Sequence, residues 1–342
     1  MKSVRFHQFG GPEVLSCEEA ARPILSPGEA LVKVKACALN HLDIWVQQGI
    51  PAYPVALPHI PGSDVAGIVE AVSSGCEGIH EGMPVLIAPG ISCFRCPACR
   101  LGHDNLCESY HIFGTQTDGG YAEYTKVDAA HLIPIPPGVS FTSAAAFPIT
   151  FLTAWHMLIT RAKLTPGQDL LVLAGGSGVG SAAIQIGKLA GARVITTTRT
   201  PRKMALAKEI GADFVIDHEK NDFSKEVLDI TGGKGADRIV EHVGSSTFNQ
   251  SLHALAKKGT LVTCGVTTGA SVAIDVRALF MNEQTIMGSK MGTRSELDLL
   301  IRLLQQGKIK PVIDSVYPLE QAREAQEVMR RRDHFGKLIL TP

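Results

Sequence analysis

The sequence lacks net charge, with 33 Lys and Arg residues balancing 33 Asp and Glu. Nothing in it forms the basic patch that nucleic acid or an anionic membrane calls for, so neither is expected as a partner. Also missing is any apolar run near the ~20 residues of a membrane helix. The opening "MKSVRFHQFGGPEVL" has no apolar stretch of the signal-peptide kind, so a cytoplasmic, reducing setting is expected. Internal repeats and low-complexity linkers are absent as well. What remains is an ordinary globular mixture, 45% hydrophobic and 19% charged, and 342 residues leave room for two domains.

Cysteine is scarce but unevenly spread. Four of the eight cysteines, Cys93, Cys96, Cys99 and Cys107, fall within "SCFRCPACRLGHDNLC". In a reducing compartment such a cluster favours metal over disulfides. The short spacings with one longer step suit a closed tetrahedral zinc site of four thiolates with no open position. An iron–sulfur cluster is the other reading, although its usual run has a shorter last gap and a following proline. Cys17, Cys37, Cys76 and Cys264 are scattered and read as packing residues.

Residues 1–150 read as short β-rich runs with Gly and Pro turns, such as "EALVKVKACAL", "DVAGIVEAV", "MPVLIA" and "YAEYTKV". They predict an antiparallel, partly barrel-like domain. From Leu170 the rhythm becomes alternating strand and helix, which predicts a doubly wound parallel sheet of the Rossmann kind over 151–288. The fold class is α/β. Residues 289–342, with two helical stretches and the strand "KLILT", are expected to return to the β-rich domain.

Between strand "LLVLA" and helix "GVGSAAIQIGKLAG" stands a turn with Gly175, Ser177, Gly178, Val179 and Gly180. Small residues let backbone approach a pyrophosphate at a helix N-terminus, so a dinucleotide is the expected ligand. Ser177 departs from the strict G-x-G-x-x-G pattern. NAD sites carry an acid about 20 residues further on. Here Thr198 stands 18 residues after Gly180, followed by Arg199, Arg202 and Lys203. A hydroxyl and cations receive a 2′-phosphate where a carboxylate repels it, which points to NADPH.

Taken together, "PGSDVAGIVEAV", the cysteine lobe, "FPITFLTAW", "GGSGVG" and "AKEIGADFVID" resemble the zinc-containing alcohol dehydrogenase superfamily of medium-chain dehydrogenases/reductases. The resemblance spans essentially the whole chain. It implies a GroES-like catalytic domain, a Rossmann domain, hydride transfer with a nicotinamide, one structural zinc on the four cysteines, and a homodimer or homotetramer. By the same resemblance Thr153 contacts the cofactor, and Gly265 and Val266 in "CGVTTG" carry the nicotinamide carboxamide on their backbone.

The catalytic zinc ligands of that superfamily are missing. Asn40 in "ACALNHLD" takes the first ligand position, Ser63 in "PGSDVAG" the second, and the third falls near Ile149. An amide, a hydroxyl and an aliphatic chain do not make the N/S site zinc wants. His41, His59 and His156 have no second ligand at metal spacing. Asn40 followed by Asp43 is similar to zeta-crystallin-like quinone oxidoreductases, although typical members lack the cysteine lobe.

The reaction implied is reduction of a quinone, enone or enal by NADPH, with Asn40, Ser63 and Tyr53 as candidate catalytic residues. Asp43 and Asp64 are expected to brace loops. Three alternatives stay open: an alcohol dehydrogenase with unorthodox ligands, an enoyl-CoA reductase, and a non-enzymatic nucleotide-binding protein of the crystallin kind.

Overall fold

The computed structural model describes residues 1–51 and 54–342. The chain divides into two compact units, one of 1–149 with 293–342 and one of 150–292. Among the described residues no helix is long and apolar enough to cross a membrane.

The first unit is built on a seven-stranded sheet. Its longest strand, Glu29–Ala38, alternates exposed Lys33 with buried Val32 and Val34, then becomes buried on both faces at Ala36, Cys37 and Ala38. That change follows its neighbours: Asp64–Val72 pairs along its length, Tyr124–Asp128 pairs with its first half, and Lys337–Thr341 with its last residues. Register shifts between Leu31 and Val32 and between Val34 and Ala36 bend the strand, as bulges do at barrel-like corners. The core behind it gathers Phe6, Val65, Val85, Phe113, Tyr121, Leu338 and Leu340.

The sheet is not wholly antiparallel as the strand runs suggest. Ile313–Pro318 lies parallel to Lys337–Thr341, because helix Ala322–Arg331 carries the chain back between them. Helix Arg294–Gln305 buries Leu297, Leu300, Ile301 and Leu304, the spacing of one helical face. Each such side chain contributes about 2 kcal/mol on burial. Thr293 and Glu296 form its capping box.

The second unit holds six parallel strands. In chain order they are Asp169–Val172, Arg193–Thr198, Phe214–Asp217, Ala236–Glu241, Leu255–Thr263 and Thr285–Gly288. Side by side the order runs third, second, first, fourth, fifth, sixth. The direction of winding therefore reverses between Asp169–Val172 and Ala236–Glu241, where open α/β sheets place their ligands. Helix Gly178–Leu189 packs closely on the sheet where Gly187 meets it. A Cβ on Gly187 would stand 2.5 Å from Leu170 Cδ2. Gly191, at φ 79°, ends this helix as a left-handed residue.

Candidate active site

The ladder between Glu29–Ala38 and Asp64–Val72 ends at the pair Ala38 and Asp64. Just beyond that end stand Asn40 and Ser63, both buried. Asn40 precedes helix His41–Gln47, and its backbone N–H donates to Asp43 Oδ2 at 2.9 Å. Its side chain is fully engaged. Nδ2 donates to Asp64 Oδ2 at 2.9 Å and to the Ala38 carbonyl at 3.3 Å. Oδ1 accepts from Lys337 Nζ at 2.7 Å. Lys337 also donates to Asp64 Oδ2 at 3.2 Å, and Asp64 Oδ1 accepts from the Ile149 N–H at 3.0 Å.

This cluster is buried. The Lys337 side chain is 5% exposed and that of Asp64 0%. Burial pushes the Asp64 carboxyl up, opposed chiefly by the Lys337 charge. Asp43, which also accepts from Tyr121 Oη at 3.0 Å, is pushed up to about 7 by burial. An amide has two N–H hydrogens, and both of Asn40's are placed inside the protein. Asn40 therefore has no donor left for a ligand, only a lone pair on Oδ1. Ser63 is the opposite case: its Oγ is buried with no hydrogen-bond partner among the described residues. Tyr53 lies outside the described residues.

Lys337 escaped the sequence reading, since "FGKLILT" presents it as the ordinary polar start of an apolar strand. Only the pairing of Leu340 with Cys37 and Ile339 with Ala38 brings it onto Asn40.

The four clustered cysteines do meet. Their sulfurs all lie within 4.8 Å of one another. Tetrahedral Zn–S bonds of ~2.3 Å put sulfurs about 3.8 Å apart, so the donor set and spacing fit a structural zinc. The Cys96 N–H donates to Cys93 Sγ and the Cys93 N–H to Cys107 Sγ, each at 3.3 Å, which favours thiolates. The lobe is braced from outside: Asp104 accepts from the Arg294 N–H at 3.0 Å, and the Phe94 ring stacks on His131.

In the second unit the glycine turn follows strand Asp169–Val172. A Cβ on Gly180 would stand 2.3 Å from the Ala174 carbonyl, and one on Gly175 2.2 Å from Thr196 Oγ1. Only glycine fits either place. Ser177 caps helix Gly178–Leu189 through the Gly180 N–H at 2.9 Å. The N–H groups of Gly178 and Val179, in the first turn, have no acceptor within the helix. Ser177 Oγ also lies 2.9 Å from Nε2 of His242, the residue after strand Ala236–Glu241. That bond spans the point where the winding reverses. Gly265 lies close by, where a Cβ would meet the His242 carbonyl at 3.2 Å, and Val266 beside it is exposed. The donors and the close backbone approach fit a dinucleotide.

At the end of the second strand Thr198 is buried and no carboxylate replaces it. Arg199 Nη1, however, pairs with Glu219 Oε1 at 3.1 Å. Thr200 caps the next helix at φ 65°, an outlying conformation for a β-branched residue, with the Lys203 N–H donating to its hydroxyl. The Lys203 side chain is largely buried. Thr153, on helix Pro148–Trp155, is buried and donates to Met291 Sδ at 3.6 Å.

Residues 26–137 match the family model of the alcohol dehydrogenase GroES-like domain, and residues 178–306 that of the zinc-binding dehydrogenases. The chain belongs to the zinc-containing alcohol dehydrogenase superfamily. Its GroES-like and Rossmann-type units and its oxidoreductase chemistry follow from that membership. A quinone oxidoreductase of Pongo abelii is 31% identical over 99% of this chain and 97% of its own length. An alcohol dehydrogenase of Geobacillus stearothermophilus is also 31% identical, over 99% of both chains. Among solved structures, an NAD-dependent alcohol dehydrogenase aligns over 100% of both chains, at 44% identity and a TM-score of 0.95.

The superfamily's catalytic zinc is a different matter from its structural one. Asn40 and Ser63 offer no thiolate or imidazole, Ile149 offers no donor, and the amide oxygen of Asn40 already holds an ammonium. These residues do not fit zinc.

Proposed function

We propose that this chain reduces quinones or α,β-unsaturated carbonyl compounds with NADPH, and does so without a catalytic metal. The observation that carries this reading is the Lys337 ammonium on the Asn40 amide. A divalent ion on the same oxygen would stand beside that ammonium. At ~4 Å and an effective dielectric near 20, two unit charges already repel by ~4 kcal/mol, and a dication doubles that.

Alcohol oxidation gains most from a metal, because an alkoxide must be stabilised. Quinones and enones spread the developing charge over their own π system, so hydrogen bonds suffice. A bound reduced nicotinamide supplies the hydride. The Ser63 hydroxyl, buried and without a partner among the described residues, is assigned as donor to the substrate oxygen. Asn40 forms a wall whose orientation is fixed by Lys337, Asp64 and Ala38. Thr198, Arg199 and Lys203 are assigned to the 2′-phosphate of NADPH. The Arg199–Glu219 pair weakens that preference, and the resemblance to an NAD-dependent enzyme also favours the less charged cofactor.

The second reading is alcohol oxidation, favoured by the 44% identity to an alcohol dehydrogenase. One panel separates the two: quinones, enones, enoyl-CoA esters and simple alcohols, each with both cofactors. Quinone or enone turnover with NADPH, and little with alcohols, is the expected result. Robust ethanol or 2-propanol oxidation would overturn the metal-free reading.

A further inference from the structure

His242 is 8% exposed, and its Nδ1 is buried with no hydrogen-bond partner among the described residues. Its Nε2 lies 2.9 Å from Ser177 Oγ, which also accepts the Gly180 N–H at 2.9 Å. Burial holds the imidazole neutral, so it carries one hydrogen. The neighbouring carboxylate, Glu241, is occupied elsewhere: it accepts from the Val243 and Gly244 N–H groups and from Thr247 and Ser251 hydroxyls.

Two hydrogen placements satisfy the Ser177–His242 bond. With the hydrogen on Nδ1, Ser177 donates to Nε2, and a buried N–H is stranded without an acceptor. With the hydrogen on Nε2, the ring donates to Ser177. The serine oxygen then accepts two N–H bonds, and its own hydrogen is released. A stranded buried donor is the more costly defect, because an orphaned N–H is rarer than an unused lone pair. The second placement also leaves the Ser177 hydroxyl free to donate beside the N–H groups of Gly178 and Val179, which have no acceptor within the helix.

We propose that His242 is a positioning residue for the cofactor, holding Ser177 through Nε2–H so that the serine hydroxyl donates to the diphosphate. This rests on the dinucleotide reading of the glycine turn. His242 thus fastens the two strands on either side of the winding reversal and acts on the ligand through Ser177.

The experiment is a double-mutant cycle on the full chain, read by NADPH fluorescence titration and by thermal shift with ADP-ribose. His242→Leu and Ser177→Ala should each weaken both ligands about tenfold, and the double variant should lose little more. His242→Gln, whose Nε2 can reach like the ring's, should restore most of the affinity, whereas His242→Asn should not. Nitrogen-15 NMR of the bound wild type should report the Nε2–H tautomer. Effects that simply add in the double variant, unchanged affinity in His242→Leu, or an Nδ1–H tautomer would each overturn the proposal. If His242→Leu fails to fold, the Gln and Asn pair decides it: equal binding by the two sinks the idea. A wild type that binds neither NADPH, NADH nor ADP-ribose defeats the dinucleotide reading itself, and the proposal with it.

Discussion

Lys337 Nζ lies 2.7 Å from Asn40 Oδ1, although the two residues are nearly a whole chain apart. The contact sets the Lys337 ammonium against the residue that the family resemblance puts at the first zinc-ligand position. It also makes a buried carboxylate tolerable, since Asp64 shares the same ammonium. The trio behaves as one unit: removing any member leaves the others with unmet partners.

That coupling is open to test. Lys337→Met should leave Asp64 buried without its cation, at a cost of ~3–5 kcal/mol when the carboxylate stays charged. The loss should lessen in acid, where Asp64 takes up a proton. Adding Asp64→Asn should recover much of the stability, because the stranded charge is gone. Denaturation melts near pH 8 check this, and a single variant as stable as wild type would sink the account.

Asp43 sets a pH dependence of defined sign. Its folded carboxyl is raised to about 7, from the ordinary aspartate value of 3.8, by burial. The folded state therefore binds the proton more tightly, and stability from this group falls as pH rises from about 4 to about 7. The slope reaches about 1.4 kcal/mol per pH unit. Asp43→Asn has no such titration, so its stability relative to wild type should rise over that window. Parallel urea melts at fixed salt measure the difference. A constant difference would mean that Asp43 is not raised.

Much of this was legible in the sequence, for physical reasons that differ by element. The glycine turn and the cysteine lobe are local: their chemistry depends on residues a few positions apart, so spacing alone reveals them. The parallel sheet announced itself through buried runs such as "LLVLA". The polar trio did not, because Asn40, Asp64 and Lys337 meet only through strand pairing across the sheet. His242 was invisible for a similar reason, as it meets Ser177 across two adjacent strand ends. The Arg199–Glu219 pair was not legible either, because a neighbouring strand's turn brings the carboxylate to the cation.

That pair gives a prediction about cofactor choice. Glu219→Gln removes the carboxylate that Arg199 now faces. NADPH affinity should rise several-fold while NADH affinity stays level, and the gain should shrink with salt. Titrations at low and high ionic strength supply the numbers. Equal gains for both cofactors would place Arg199 away from the 2′-phosphate.

The cysteine lobe should act in folding alone. Cys99→Ser should lose the zinc, lower the melting temperature and loosen residues 90–110. Thiolate zinc contributes ~10–16 kcal/mol in isolated finger peptides, and less where a domain already shapes the loop. Protein that remains folded should still transfer hydride, because a four-thiolate site keeps no open position. Metal analysis and kinetics on one folded sample decide the matter. Intact folding with chemistry abolished would make this metal catalytic.

Ser63 carries the sharpest test of the proposed chemistry. Ser63 is 0% exposed and its hydroxyl has no partner among the described residues, a defect that ordinarily costs stability. A residue kept only for packing would be better as alanine, so Ser63→Ala should leave stability unchanged or slightly improved. If the hydroxyl donates to the substrate oxygen as charge develops, the same variant should lose ~10²–10³ in kcat with quinone or enone, the scale seen for a single oxyanion donor. KM should move far less, since the bond strengthens chiefly in the transition state. NADPH binding should be unaffected, because the residues assigned to the dinucleotide lie in the other unit. Stability and turnover measured on the same preparation therefore point in opposite directions if the assignment is right. A Ser63→Ala protein with wild-type kcat would show that another group polarises the substrate.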